Sequence, residues 1–329
     1  MERDKVLDAT KYILIILVVL GHFIEPSRYT NSYACVLYCL IYSFHMPLFI
    51  MISGYLYKQR SLAQELKICI PLLEVCLIAH LSFVLIRKGI DISIKDLLIF
   101  GGPAWFLLCL IYWRIGTHYL LKYLTGSQLL CISVIVDIIS FCFLQHGGYL
   151  SIGRALGFYP FFILGYCLKG RLKRIISTYK NICIIMGVLS VMYVILTANI
   201  LQFKTEFHTD YLLALKRYTD LNTYLIFINR YVLLFCAISI SALVMVLVTN
   251  SVTLQKLSKY GTTTLFIYYV QTFIFAIIGL YEVKLWQSLV LVSLTIPILT
   301  YMAQKPFAKY MMTPMCEMVK LVTRSYKKP

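Results

Sequence analysis

Negative charge is scarce in this chain: 14 Asp and Glu stand against 31 Lys and Arg in 329 residues, and all four charged types together make up 14%. A soluble domain draws about a quarter of its residues from those types to clothe its surface, so a soluble globular fold is excluded. None of the 11 cysteines forms a C-x-x-C pair and nearly all fall inside apolar runs, which argues against a disulfide framework and leaves them as small core residues. The six histidines are as sparse. His80, His118, His146 and His208 show no ligand spacing, and no metal is expected. No fixed-period repeat, low-complexity linker or break in composition divides the chain, so residues 1–329 are expected to form one membrane domain with no soluble accessory domain. A cleavable leader is not expected either, because the first apolar segment lacks a small-residue cleavage site and should stay as the first helix.

What is present is apolar. With 60% hydrophobic residues and a mean hydropathy of +0.80, the chain reads as a polytopic membrane protein. Runs able to span about 30 Å of hydrocarbon occur at Lys11 to Ile24, Ala34 to Leu56, Ile68 to Ile86, Leu97 to Ile115, Leu129 to Leu144, Ile152 to Leu168, Ile182 to Leu201, Tyr224 to Val248, Thr262 to Tyr281 and Leu285 to Met302. The expected fold is therefore an all-α bundle of about ten transmembrane helices, the sixth kinked at Pro160. An even number of crossings puts both termini on one side. The segments on that side carry 21 Lys and Arg against 10 on the other, so the termini are expected in the cytoplasm, in a multi-pass protein of the inner (plasma) membrane. The net charge of +17 then serves topology and anionic lipid, with part of it free for a polyanion such as coenzyme A. No nucleic-acid partner is implied. The Lys169 to Lys180 stretch reads as an inner topology loop or, alternatively, as a phosphate site.

One stripe of the first helix stands out. Steps of three, four, three and four carry Asp8 to Lys11, Ile15, Val18 and His22, which stacks them on one face. Ionisable groups on a membrane helix are costly unless they look into a bundle or cavity, and they mark pathways or chemistry more often than packing.

Arg3, Asp8, Lys11 and Gly21-His22, then Phe44-His45-Met46-Pro47-Leu48-Phe49 and Ile52-Ser53-Gly54-Tyr55, carry a resemblance. Weaker matches follow at Lys67, Ile70-Pro71, Trp105-Phe106-Leu107, Phe158 to Phe162 with Gly165-Tyr166, Tyr260-Gly261 and Tyr268. With these residues the chain resembles the acyltransferase-3 family of integral membrane O-acyltransferases, in particular its fucose 4-O-acetylase-like branch, which modifies sugars on surface polysaccharides. Gln271 departs from the pattern, since many relatives carry His there. The resemblance implies an O-acetyltransferase that takes an acyl group, as acetyl, from cytoplasmic acetyl-CoA to a sugar hydroxyl of a cell-surface glycan or its lipid-linked precursor.

The chemistry of the residues is compatible with that. Acyl transfer to a hydroxyl needs a base near neutral pKa, and His22 is the candidate. Asp8 lies about 21 Å away along a continuous helix and cannot be its carboxylate; it would pair with Lys11 or Arg3 at the cytoplasmic mouth. Arg3, Asp8 and Lys11, with the basic turn carrying Lys58, Arg60 and Lys67, are the expected donor-binding group. His45, beside Pro47 near mid-span, is a second candidate catalytic imidazole or a core histidine satisfied by a neighbour. Glu74 would orient a histidine or form a structural pair. Trp105, after Gly101-Gly102-Pro103, is a candidate platform for the acceptor sugar, equally explained as an interface-belt tryptophan. Asp137 and Arg230 read as structural. A lipid-linked sugar flippase or polysaccharide exporter is the alternative function, without the internal symmetry such transporters show. Partners other than donor, acceptor and bilayer, including a second copy of the chain, are left open.

Overall fold

The computed structural model describes residues 4–143, 148–200 and 223–312. Arg3, His146, His208, residues 201–222 and the end of the tail lie outside them. Each of the ten expected segments corresponds to a helix of at least 15 residues: α1 Lys5–Ile24, α2 Ser32–Leu56, α3 Leu62–Lys88, then past the short α4 Ile94–Leu98 to α5 Trp105–Leu120, α6 Gly126–Phe143 and α7 Ile152–Cys167. After α8 Leu172–Thr178 come α9 Lys180–Ile200, α10 Thr223–Asn250 and α11 Val252–Gln255, then α12 Thr264–Ile278, α13 Leu285–Ala303 and α14 Pro306–Met312. Among the described residues, six helices are long and apolar enough to cross a membrane. A seventh span is reached if the pair Val252–Tyr260 and Thr264–Ile278, bent by 75°, is counted as one. The protein is thus an all-helical membrane protein in which six or seven of the expected ten segments reach spanning length among the described residues.

Two boundaries differ from expectation for local reasons. α1 begins at Lys5 rather than Lys11, because Asp4 caps it by accepting from the Val6 and Leu7 amides; this puts Asp8 inside the helix. The fourth segment does not run from Leu97. Its first residues form α4, and the chain then passes through Gly102 at φ +56° and Pro103 before α5 starts at Trp105. Pro160 sits inside an uninterrupted α7, as Pro47, Pro71 and Pro297 do in α2, α3 and α13.

α1 and α2 form the inside of the bundle: their apolar windows are 67% and 78% buried, against 22% for α9 and 28% for α13. Most polar groups on α1 and α2 therefore face protein, while α9 and α13 turn only a narrow face inward, Ser288 of α13 donating to the Phe23 carbonyl of α1 at 2.7 Å. α2 packs most closely on α7. A Cβ on Gly54 would run into the Phe162 backbone, and one on Gly165 into that of Met51, so two glycines let the helix backbones touch. Gly165→Ala is expected to cost stability at the upper end of the ~1–3 kcal/mol overpacking range. Gly116→Ala, where a Cβ meets nothing within 4 Å inside α5, should leave thermal stability in detergent unchanged or slightly raised.

The loops before α5 and α7 meet at an isolated antiparallel bridge, Ile99 with Tyr149, beside the Leu150 amide bonded to the Leu98 carbonyl at 2.8 Å. This seam sets the first turns of α5 and α7 side by side. It faces the C-terminal ends of α1 and α3.

Candidate active site

That end of the bundle holds a cavity of about 260 Å³. His22, His45 and Trp105 all line it, so three of the expected site residues from three helices come together. Glu25, Arg28, Tyr42, Arg87 and Arg154 complete its polar wall, and Tyr268 and Phe275 of α12 help to close it.

His22 is held through one ring nitrogen. Its Nδ1 lies 3.2 Å from the Tyr42 hydroxyl, which donates to Glu25 Oε2 at 3.3 Å. A tyrosine hydroxyl has a single proton, so with that O–H donating to Glu25 its oxygen accepts from Nδ1–H. The neutral imidazole then carries its lone pair on Nε2. Glu25 Oε2 is also 3.7 Å from Nδ1 itself, positioned to balance a charge on the ring. The ring packs on Phe275 at 4.6 Å between centroids. Glu25 belongs to the 3-10 turn Glu25–Tyr29 that extends α1, which keeps it one turn beyond His22 on the same side.

His45 is fixed in the same sense. Its Nδ1 lies 2.7 Å from the Ile41 carbonyl, which can only accept, so a neutral His45 has its lone pair on Nε2. Its ring meets that of Tyr42 edge to face at 4.9 Å. Trp105 does not offer an empty platform: Phe158 stacks on it at 5.5 Å and the Arg154 guanidinium lies 5.1 Å from its ring centroid. The tryptophan supports an arginine in the cavity wall. Gly102 is needed beside it, since a Cβ there would meet the Phe83 ring at 2.8 Å.

Glu74 is buried but does not line the cavity; it lies within electrostatic reach of Tyr269 on α12. Gln271 is fully buried and donates to the Tyr268 carbonyl at 3.2 Å, leaving its Oε1 without a hydrogen-bond partner among the described residues. Asp137 and Arg230 form a buried ion pair between α6 and α10, with Tyr231 donating to Asp137 at 3.3 Å, in keeping with a structural role.

Of the expected donor-binding residues, Asp8, Lys11, Lys58, Arg60 and Lys67 lie at the opposite end. Asp8 pairs with Lys11 at 2.8 Å and packs against Gly261, where a Cβ would come within 2.6 Å of the Asp8 Cβ. Lys169 donates to the Tyr57 carbonyl at 2.8 Å. Burial lowers the pKa of its ammonium group, and the nearby charges of Lys58 and Arg60 lower it further, so the three cations form one cluster. Arg60 also approaches the fully buried Glu65 at 3.8 Å, which Arg114 holds at 2.6 Å. Lys67 is exposed nearby in sequence, on the first turns of α3. Between the two ends, α1 presents Ile15 and Val18, both buried.

The family model described as an acyltransferase domain, acyltransferase-3, matches residues 4–303. The chain belongs to the acyltransferase-3 family. The match takes in both the cationic end and the cavity around His22. Among curated proteins, this family member is 33% identical over 191 residues to the nodulation protein NolL of Sinorhizobium fredii, covering 50% of this chain and 48% of that protein. It is 32% identical over 206 residues to the nodulation protein NolL of Mesorhizobium japonicum, covering 56% of this chain and 54% of that one. The chain thus spans about half the length of the curated relatives it matches. No solved structure matches it.

Proposed function

We propose that this acyltransferase-3 protein is an O-acetyltransferase that moves an acyl group from cytoplasmic acetyl-CoA to a sugar hydroxyl of a cell-surface polysaccharide or its lipid-linked precursor. The observation that carries this is the ordered chain of His22 Nδ1, Tyr42 hydroxyl and Glu25 carboxylate at the cavity wall. It keeps a lone pair on His22 Nε2 and provides a counter-charge for the imidazolium that forms when the acceptor hydroxyl gives up its proton. The deprotonated hydroxyl attacks the thioester carbonyl, the C–S bond breaks, and the proton returns to the coenzyme A thiolate. His45, with its Nε2 lone pair in the same cavity, is the second candidate to contact a reacting group.

In this reading the protein sits in the inner membrane with ten spans and both termini in the cytoplasm. The cluster of Lys58, Arg60 and Lys169, with Lys11 and Lys67 at the same end, meets the phosphates of the donor, while the acceptor enters the cavity at the other end. The donor's long arm has to pass the packed stretch of Ile15 and Val18, which requires the bundle to open.

Purified protein in detergent, incubated with radiolabelled acetyl-CoA and a crude glycan extract, is expected to put label on base-labile sugar esters. No transfer to any glycan fraction by folded protein would remove the proposal. Within the site, Tyr42→Phe is expected to lower kcat about ten- to a hundredfold with little change in the KM for acetyl-CoA, the loss of one hydrogen bond to a group that becomes charged. A KM effect alone would move Tyr42 to substrate binding.

A further inference from the structure

Three arginines on three different elements point into the cavity that holds His22: Arg28 from the 3-10 turn, Arg87 near the end of α3 and Arg154 in the first turn of α7. The one carboxylate in the wall, Glu25, is engaged by Tyr42. With neutral histidines the lining carries three positive charges against one negative. Gathering like charges at the end of a membrane bundle is costly unless something compensates them.

Each guanidinium is oriented but not consumed. Arg28 lies 4.3 Å from the Tyr38 ring centroid and bonds to the Tyr29 hydroxyl. Arg87 donates one bond of 2.7 Å to the Gly279 carbonyl, and Arg154 one of 3.3 Å to the Phe100 carbonyl. In all three the Nε is buried with no hydrogen-bond partner among the described residues, and Arg28 is only 8% exposed. A guanidinium has five N–H donors and no acceptor. A neutral sugar presents hydroxyls that both donate and accept, and it would be matched by carboxylates and amides. This wall is rich in donors, so it matches a group that only accepts.

We infer that the acceptor is anionic: the cavity binds a glycan that carries a carboxylate or phosphate close to the hydroxyl to be acylated, and Arg28, Arg87 and Arg154 hold that oxyanion. This rests on the proposed acyl transfer for its consequence, but binding can be read without it. The oxyanion has two sources, the sugar carboxylate of a uronic acid or the diphosphate of a lipid-linked sugar. Holding it in the same cavity as His22 Nε2 fixes which hydroxyl of the ring meets the base.

The test measures binding to the full chain in detergent by quenching of tryptophan fluorescence, with Trp105 beside Arg154 as the reporter. The probes are an oligouronide, the same oligosaccharide after carboxyl reduction, and a polyprenyl-diphospho-sugar. The expected result is saturable binding of at least one acidic probe and at least tenfold weaker binding of the reduced oligosaccharide. Preference for the oligouronide assigns the oxyanion to the sugar, and preference for the diphospho-sugar assigns it to the lipid linkage. Arg87→Gln and Arg154→Gln should each weaken the acidic probe about ten- to a hundredfold while leaving acetyl-CoA affinity unchanged, and Arg154→Lys should restore part of the loss. Failure of both the oligouronide and the diphospho-sugar to bind more tightly than the reduced oligosaccharide would overturn the inference, as would arginine variants that lose acetyl-CoA instead. Acetylation of neutral glycans with no preference for acidic ones would remove the inference and leave the transferase standing. Tight acidic binding without any transfer would do the reverse.

Discussion

Replacing His22 by Ala is expected to lower the rate of acetyl transfer by 10² to 10⁴, the usual contribution of a general base, while the protein still inserts and folds. The side chain stands at a cavity wall, where its ring meets Tyr42, Phe275 and Glu25 at one end of the bundle. Its loss removes a functional group without opening the core. Acetyl-CoA should bind the variant as it binds the wild type, since the donor cluster lies about 21 Å or more along α1. Single-turnover rates and a donor titration on the same preparation separate the two effects. A variant that keeps more than about a tenth of wild-type turnover would take the base role away from His22. His45→Ala should lose as much or somewhat less, and unchanged activity would return His45 to the core.

Arg114→Met is expected to be the most destabilising single change at the opposite end. Glu65 is fully buried on the first turn of α3, and its main partner is the Arg114 guanidinium at 2.6 Å, with Arg60 more distant at 3.8 Å. Removing one member of a buried pair leaves a charge without compensation and typically costs about 3–5 kcal/mol. Replacing both with apolar groups removes the stranded charge, so Glu65→Leu combined with Arg114→Met should recover most of the loss. Melting temperatures of the two variants in detergent decide this. If the single variant melts with the double one or above it, the pair does not hold α3 to α5.

The helices and the histidines were legible because their signals are local. Apolar runs located ten segments that all became helices, and the step of three and four residues along α1 led directly to His22. The boundary before α5 was not legible, because hydropathy continues from Leu97 into Trp105 while Gly102 and Pro103 break the backbone between them. Glu25 was missed for a related reason: the apolar run ends at Ile24, yet the helix continues as a 3-10 turn that carries Glu25 and Arg28 to the His22 side. A search for carboxylates three residues from each candidate base would have found it. Arg87 and Arg154 leave no such trace. They lie on separate elements far apart in sequence and counted only as basic residues on the outer side, so only tertiary packing brings them to the cavity. Trp105 was placed at the site for its aromatic face, but Phe158 and Arg154 take up that face and change its role.

In the proposed reaction, donor and acceptor meet from opposite ends of the bundle, the donor at the cationic end near Lys58, Arg60 and Lys169 and the acceptor at the His22 cavity. Sealed proteoliposomes, with the protein's orientation established by protease cleavage of a tag at the N-terminus, test this directly. Labelled acetyl-CoA is confined to one compartment and an acceptor glycan to the other. Label should reach the glycan only when acetyl-CoA is on the side of the N-terminus and the glycan on the opposite side. Equal transfer with both substrates on one side, or transfer only in the reversed arrangement, would contradict the account.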